Sequence, residues 1–490
     1  MPGSFVPVWT DLVRVLPEII LTVAGTVVMV AEPLTPDRRK RILGWLALAG
    51  MAVALWGVAV ADAVGGTGFR NMVVVDGFAT FFRALVIVAG MLTVLCSLHY
   101  VQRERPDSGE YYALLLFCIV GQCLMAASNE LIMIFLGLEI SSIASYVLAG
   151  YLRDDPRNNE SAIKYFLLGS FATAFLLYGV AWIYGATGTT DLSEIQAVLA
   201  NPELRPPGLM VAASSALVLV GLAFKISAAP FQVWAADVYQ GAPAPVTAFL
   251  SAGPKAAAFA VLIRVYTTAY GPAAAAWEPI LWMVALATMI VGNFAAILQD
   301  NIKRLLAYSS IAHAGYVLVA VRANSDVGVS AAMFYLAAYA FMNIGAFAVV
   351  THFARERERY VRVDELAGLS KKQPVTAALF TIFLLSLVGI PLTGGFFSKF
   401  YIFKAALDSG LVWLTILGLL NSAVAAYYYL RILVVMYFHE PGDETASAEP
   451  LRGALGAALW VSAAATLILG VFPSVVLRLA DKASALAALR

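Results

Sequence analysis

Charge is scarce in this sequence. Only 13% of its 490 residues are Asp, Glu, Lys or Arg, against 61% apolar, which leaves too little polar surface to cover a soluble globule of that length. The 32 basic and 31 acidic residues nearly cancel, so there is no general field to draw nucleic acid or another charged partner. Cysteine is almost lacking: Cys96, Cys118 and Cys123 lie inside apolar runs, with neither disulfide pairing nor the spacing of a zinc or cluster site, and read as buried small side chains. The four histidines show no ligand spacing, which argues against a bound metal or haem. Gly65-Gly66-Thr67-Gly68 follows no strand and opens no helix, so a nucleotide loop is not expected there. No Ser/His/Asp or Cys/His arrangement stands in a readable context.

What the sequence has in abundance is apolar runs, with a mean hydropathy of +0.82. It reads as an all-α integral membrane protein. The first run, Leu12 to Ala31, meets Pro33, Pro36 and Arg38, Arg39, Lys40, Arg41 with no small-residue cleavage site, so it is expected to stay as a helix. At about 20 residues per crossing, about fourteen spans are expected: 12–31, 42–62, 74–98, 111–127, 131–150, 161–185, 209–239, 244–268, 276–298, 302–320, 328–352, 373–407, 411–438 and 453–477. Loops after odd-numbered spans carry eighteen Lys and Arg residues and the opposite side nine. That asymmetry predicts that both termini face away from the cytoplasm and that the loop from Thr351 to Gln373 is the main cytoplasmic feature.

The five remaining basic residues, Arg83, Lys164, Lys225, Lys255 and Lys399, fall within spans. A charge at the bilayer centre costs about 2.5–3.5 kcal/mol even on the lenient insertion scale, so each needs a partner, water or a function. Spans seven and twelve are too long for straight crossings; the first holds Pro230 and the second Gly389, Pro391, Gly394 and Gly395. Both are expected to be discontinuous within the membrane. They lie five spans apart and so cross in opposite directions, the mark of inverted repeats. The expected organisation is residues 1–110 with helices 1–3, 111–275 with helices 4–8 as one repeat, 276–440 with helices 9–13 as the inverted repeat, and 441–490 with helix 14.

Each broken helix carries a lysine near its break: Lys225 five residues before Pro230 and Lys399 four after Gly395. A break frees backbone carbonyls and admits water, which gives a lysine a place for its proton and a route for exchanging it. Glu139 lies mid-span and calls for a cation, and Lys164 at the start of the next span is the expected partner. Lys255 lies on the span after Lys225, far enough from the ends to make snorkelling a poor account. His313, also mid-span, is the one group there whose ordinary titration lies near neutral pH. Asp76 and Arg83, seven residues apart on one helix face, read as structural.

The run from Gly221 to Trp234, with Phe224-Lys225 and Ala229-Pro230 inside it, and the run Asp237-Val238-Tyr239-Gln240-Gly241-Ala242-Pro243-Ala244-Pro245-Val246 closely resemble the antiporter-like N-subunit family of NADH-quinone oxidoreductases (respiratory complex I). Asn301 to Ile311, Leu385 to Pro391, Leu16 to Leu21 and Tyr427 to Arg431 look like the same family, so the resemblance covers essentially the whole chain. It implies a proton-translocating subunit of the membrane arm in a bacterial inner membrane, with Glu139 and Lys164 as coupling pair, Lys225 as central carrier, Lys255 and His313 as connecting relay, and Lys399 as outward-side carrier. It further implies that FMN, iron-sulfur clusters and quinone belong to partner subunits and that this chain binds no cofactor. The family usually has histidine where this chain has Gln232, which can order water but cannot titrate. Two other readings are a subunit of a multisubunit cation/proton antiporter or membrane-bound hydrogenase, built on the same repeat, and a scaffold whose charges are inert.

Overall fold

The structure, a computed structural model, describes residues 8–104, 109–353, 362–441, 451 and 453–487; Arg355, Arg357 and Arg359 of the expected cytoplasmic loop lie outside them. The helices follow the apolar runs closely: α1 (Trp9–Arg14), α2 (Leu16–Ala31), α3 (Arg41–Val64), α4 (Gly77–Glu104), α5 (Gly109–Ala127), α6 (Leu131–Ala149), α7 (Pro156–Thr187), α8 (Leu192–Ala200), α9 (Gly208–Ile226) and α10 (Ala235–Gly241). There follow α11 (Ala244–Arg264), α12 (Ala274–Ile297), α13 (Ile302–Arg322), α14 (Asp326–Phe353), α15 (Leu369–Lys372), α16 (Pro374–Val388), α17 (Gly394–Asp408), α18 (Val412–Phe438), α19 (Gly453–Val471) and α20 (Ser474–Ala487). Among the described residues twelve helices are long and apolar enough to cross a membrane, and α2 and α16 are shorter apolar helices.

The centre of the bundle is formed by α11, α13 and α14, which are buried along nearly their whole length, while α3, α7, α12 and α18 form the rim. Rim helices turn large apolar side chains outward, Trp56, Phe171 and Trp413 among them, as a surface facing hydrocarbon requires. Close approach within the bundle depends on small residues. A Cβ on Gly292 of α12 would lie 2.4 Å from the amide nitrogen of Ala312, and one on Gly315 of α13 would lie 2.8 Å from that of Met289. Both contacts flank His313 and clamp its helix.

Both long spans are interrupted. The first break opens at Ser227, whose φ is +60°, three residues earlier than Pro230, and ends at Ala235. The second runs from Gly389, φ +95°, through Leu392, φ +71°, to Gly394. Three features depart from the sequence reading. The amphipathic helix α8 lies in the connection after α7, since its nine residues are too few for a span. The last span ends at Val471, and a separate α20 folds back on α14 and α4, with the Ser484 and Ser330 hydroxyls 2.8 Å apart. The glycine run forms strand β1 (Gly66–Gly68), paired antiparallel with β2 (Val73–Val75).

Four of the five basic residues expected within spans are buried, Lys164 being the exception, and further basic residues join them. Arg264, placed at a span end from the sequence, is 8% exposed, and Lys303, placed in a loop, is 5% exposed and donates to the carbonyl of Ala242 at 2.6 Å. Asp76 and Arg83 each find a partner on another helix. Arg264 grips Asp76 through two hydrogen bonds of 3.0 and 2.9 Å, the bidentate form that best offsets desolvation. Arg83, wholly buried on α4, meets Glu18 of α2 at 2.7 Å. Removing one partner of such a pair strands the other. Arg83→Ala is therefore expected to cost about 3–5 kcal/mol, and Glu18→Gln combined with Arg83→Met to recover most of it; thermal unfolding of the detergent-solubilised protein in a double-mutant cycle measures both.

Candidate functional site

Lys225 stands in the last turn of α9, 9% exposed. Its ammonium donates to the Tyr146 hydroxyl at 3.3 Å and lies over the rings of Tyr146, Tyr165 and Phe224, 5.0, 5.2 and 5.8 Å from their centroids, where the ring quadrupoles favour a cation. Two of the carbonyls at the break go to protein donors: Phe224 accepts from the Trp234 indole at 2.9 Å and Ala223 from the Ala228 amide at 2.8 Å. A small cavity beside Lys225 is lined by Ser141, Ser142, Ser145, Tyr165 and Pro254.

Lys399, 7% exposed, takes the opposite arrangement at the second break. It rises from α17 and donates to the freed carbonyls of Leu387 and Val388 at 3.1 and 2.7 Å and to the Ser422 hydroxyl at 2.8 Å. Its ammonium lies 5.1 Å from the centroid of Tyr316. The long twelfth span does not carry it to the surface.

Between the two breaks, Lys255 on α11 is 2% exposed and donates to the backbone carbonyl of Ser310 at 2.9 Å and to its hydroxyl. His313, one turn further along α13, meets the Tyr335 hydroxyl through Nδ1 and the Tyr429 hydroxyl through Nε2 at 3.3 Å. Tyr429 also bonds Ser309, and Asn293 joins Tyr316 to Tyr428, both at 3.1 Å. A row of hydroxyl and amide groups thus links the surroundings of Lys255, His313 and Lys399, and one helix, α13, supplies Ser309, Ser310, His313 and Tyr316. Among the described residues no salt bridge reaches Lys225, Lys255 or Lys399.

The expected Glu139 to Lys164 pair does not form. Glu139 accepts a hydrogen bond from Thr173 of α7 at 2.9 Å, and Lys164 lies nine positions earlier on that helix, about 13 Å along its axis at 1.5 Å per residue. Lys164, its side chain 40% exposed, pairs instead with Asp237 at 2.7 Å and with Glu160 one turn away at 2.6 Å. Asp237 was not singled out from the sequence. It also binds Arg304 at 2.6 Å, so one carboxylate on α10 joins cations from α7 and α13. Its place next to the first break was the signal available. Gln232, in the break itself, is half-buried, and among the described residues no protein group bonds its Oε1. Among the described residues no group of three or more His, Cys, Asp or Glu could hold a metal ion.

A family model described as NADH:quinone oxidoreductase/Mrp antiporter, TM, matches residues 128–425. NADH-quinone oxidoreductase subunit N 1 of Solibacter usitatus is 62% identical over 475 residues, covering 97% of each chain. The chain belongs to the subunit N family of NADH-quinone oxidoreductases. Among solved structures, a chain of respiratory complex I from Thermus thermophilus, determined with bound aureothin, superposes with a TM-score of 0.81 at 34% identity over 95% of this chain and 99% of that one. A chain of the Mrp complex of Dietzia sp. DQ12-45-1b gives 0.84 at 21% identity over 98% of each, a likeness of fold.

In this subunit N chain, Asp237 serves two cations on different helices whereas Glu160 neighbours Lys164 on its own helix. Asp237→Asn is expected to slow quinone reduction by the assembled complex several-fold, and Glu160→Gln, removing one exposed pair, to leave it within about two-fold. Steady-state assays on inverted vesicles compare the two directly.

Proposed function

We propose that this chain is a proton-translocating subunit of the membrane arm of NADH-quinone oxidoreductase, and that six of its ionisable residues, Glu139, Lys164, Lys225, Lys255, His313 and Lys399, divide the work. The observation that carries this reading is the row of buried Lys225, Lys255, His313 and Lys399, bonded to hydroxyls or free carbonyls in place of carboxylates. A cation so held is costly in hydrocarbon, and neutral hydroxyl partners can pass a proton without becoming charged at rest. Lys225 is the central carrier, Lys255 and His313 with their tyrosine and serine partners form the connecting relay, and Lys399 is the carrier at the far break. Glu139 and Lys164 act as two coupling groups on the same side of the bundle, each with its own partner: Glu139 with Thr173, Lys164 with Asp237 and Glu160. Gln232 orders water in the first break.

In this reading residues 111–275 and 276–440 are the two inverted repeats, preceded by helices in 1–110 and followed by 441–490, and the Lys/Arg asymmetry sets both termini away from the cytoplasm of a bacterial inner membrane. Electron transfer from NADH through FMN and iron-sulfur clusters to quinone belongs to partner subunits, with other membrane-arm subunits as neighbours. Enzymatic turnover is a property of the whole complex; this chain's share is the movement of protons.

Lys225→Ala in the native complex, with assembly verified on native gels, is expected to lower NADH-driven quinone reduction and vesicle acidification together by at least about ten-fold, the scale of losing a positioned proton-transfer group. Normal rates of both in an assembled complex would show Lys225 to be structural. Loss of acidification alone would show that electron transfer does not depend on this relay.

A further inference from the structure

Gln122 of α5 is wholly buried, yet only one end of its amide has a partner. Its Nε2 donates to the thiol of Cys118 at 3.2 Å, and Cys118 lies in turn 3.2 Å from Ser145 Oγ and 3.3 Å from Ser141 Oγ. Those two serines line the cavity beside Lys225. The other end, Oε1, is bonded by no protein group among the described residues. It points at α11, where a Cβ added to Gly253 would lie 2.9 Å from it. The next residue, Pro254, forms part of the wall of the Lys225 cavity and sits inside α11; having no N–H, it brings no donor to the carbonyl of Leu250. Lys255 follows directly.

We propose that Gln122 is a positioning residue for proton transfer between Lys225 and Lys255: its amide and the Leu250 carbonyl together seat water where α5 and α6 meet the notch at Gly253 and Pro254. A buried amide oxygen with no protein donor among the described residues and a carbonyl without its usual helical donor, beside a serine-lined cavity, form the polar, confined setting in which a buried water finds its two to four partners. Without a Cβ on Gly253, Gln122 Oε1 can come close to α11 beside this cavity. This inference rests on the relay reading above, since it supplies the link between two of its carriers.

The physics separates this role from a structural one. If Gln122 merely filled space, replacing it with leucine would remove an unpartnered acceptor at similar volume and would be neutral or stabilising. If it seats water, the same change breaks the link. The experiment places Gln122→Leu, Gln122→Glu, Gly253→Ala and Lys225→Ala separately in the whole complex and measures NADH-driven acidification of vesicles against complex content, in H2O and in D2O. Gln122→Leu is expected to slow acidification about ten-fold, the factor that matches one lost hydrogen bond, with a larger solvent isotope effect. Gln122→Glu, which still accepts from water, is expected to restore most of the rate. Gly253→Ala, whose methyl would press on Gln122 Oε1 at 2.9 Å and displace it, is expected to act like Gln122→Leu and carries the test by itself if the leucine variant fails to assemble. Normal rates in Gln122→Leu or Gly253→Ala beside a defective Lys225→Ala overturn the role of Gln122 and leave the relay standing. A normal Lys225→Ala overturns the relay and this inference with it.

Discussion

The ammonium of Lys399 rests on the backbone carbonyls of Leu387 and Val388, acceptors that exist only because the helix carrying them stops inside the membrane. Much of the second half of the bundle follows from that constraint. A lysine in hydrocarbon needs acceptors, an intact helix offers none from its backbone, and breaking a helix exposes polar groups that themselves must be satisfied. Lysine and break solve each other's problem. Gly389 and Leu392 take left-handed conformations so that the chain can turn, and Gly395 is required because a Cβ there would lie 1.8 Å from the carbonyl oxygen of Ser386.

The first break is solved differently, and the difference follows from which side of the gap the lysine occupies. Lys225 precedes its break and Lys399 follows its own. At the first break the returning chain supplies the Trp234 indole and the Ala228 amide, which occupy the carbonyls of Phe224 and Ala223. Among the described residues Lys225 bonds one tyrosine hydroxyl and lies over three aromatic rings. Carbonyl dipoles hold a cation firmly and at fixed points; ring faces hold it more weakly and over a wider area. Two broken helices therefore hold one lysine tightly and one loosely beside a cavity.

The parts of the fold that depend on apolar length and on glycine and proline were legible from residues alone: the helical runs, both interruptions, and the burial of Lys225, Lys255 and Lys399. What escaped was anything set by where a long side chain reaches. Lys303 and Arg264 were assigned to loops and span ends by position along the chain, but a lysine or arginine stem spans several ångströms and delivers its charge inside. The partner of Lys164 escaped for a related reason. Adjacency of spans suggested Glu139, whereas depth along α7 decides the matter, and Asp237 reaches that depth only because α10 restarts beyond the first break. The family resemblance pointed to Lys164 as one of a pair but carried the wrong carboxylate for this geometry. Short amphipathic pieces such as α8 and α20 give too few turns for a span; the first was left in a connection and the start of the second was counted into the last span.

Helix α13 brings these strands together. Its residues 309, 310, 313 and 316 are Ser, Ser, His and Tyr, a spacing that keeps them within one arc of a 3.6-residue helix, and Arg304 at its start holds Asp237. Residues on such an arc stay in fixed relation to one another, so the surroundings of Lys255 and Lys399 are joined by a rigid element rather than by loops. The glycine contacts of α12 and α13 on either side of His313 remove the freedom to shift that a larger residue would need. With the helix held, what can still move in this half of the molecule is light: hydroxyl rotors, an imidazole between two tyrosines, and protons.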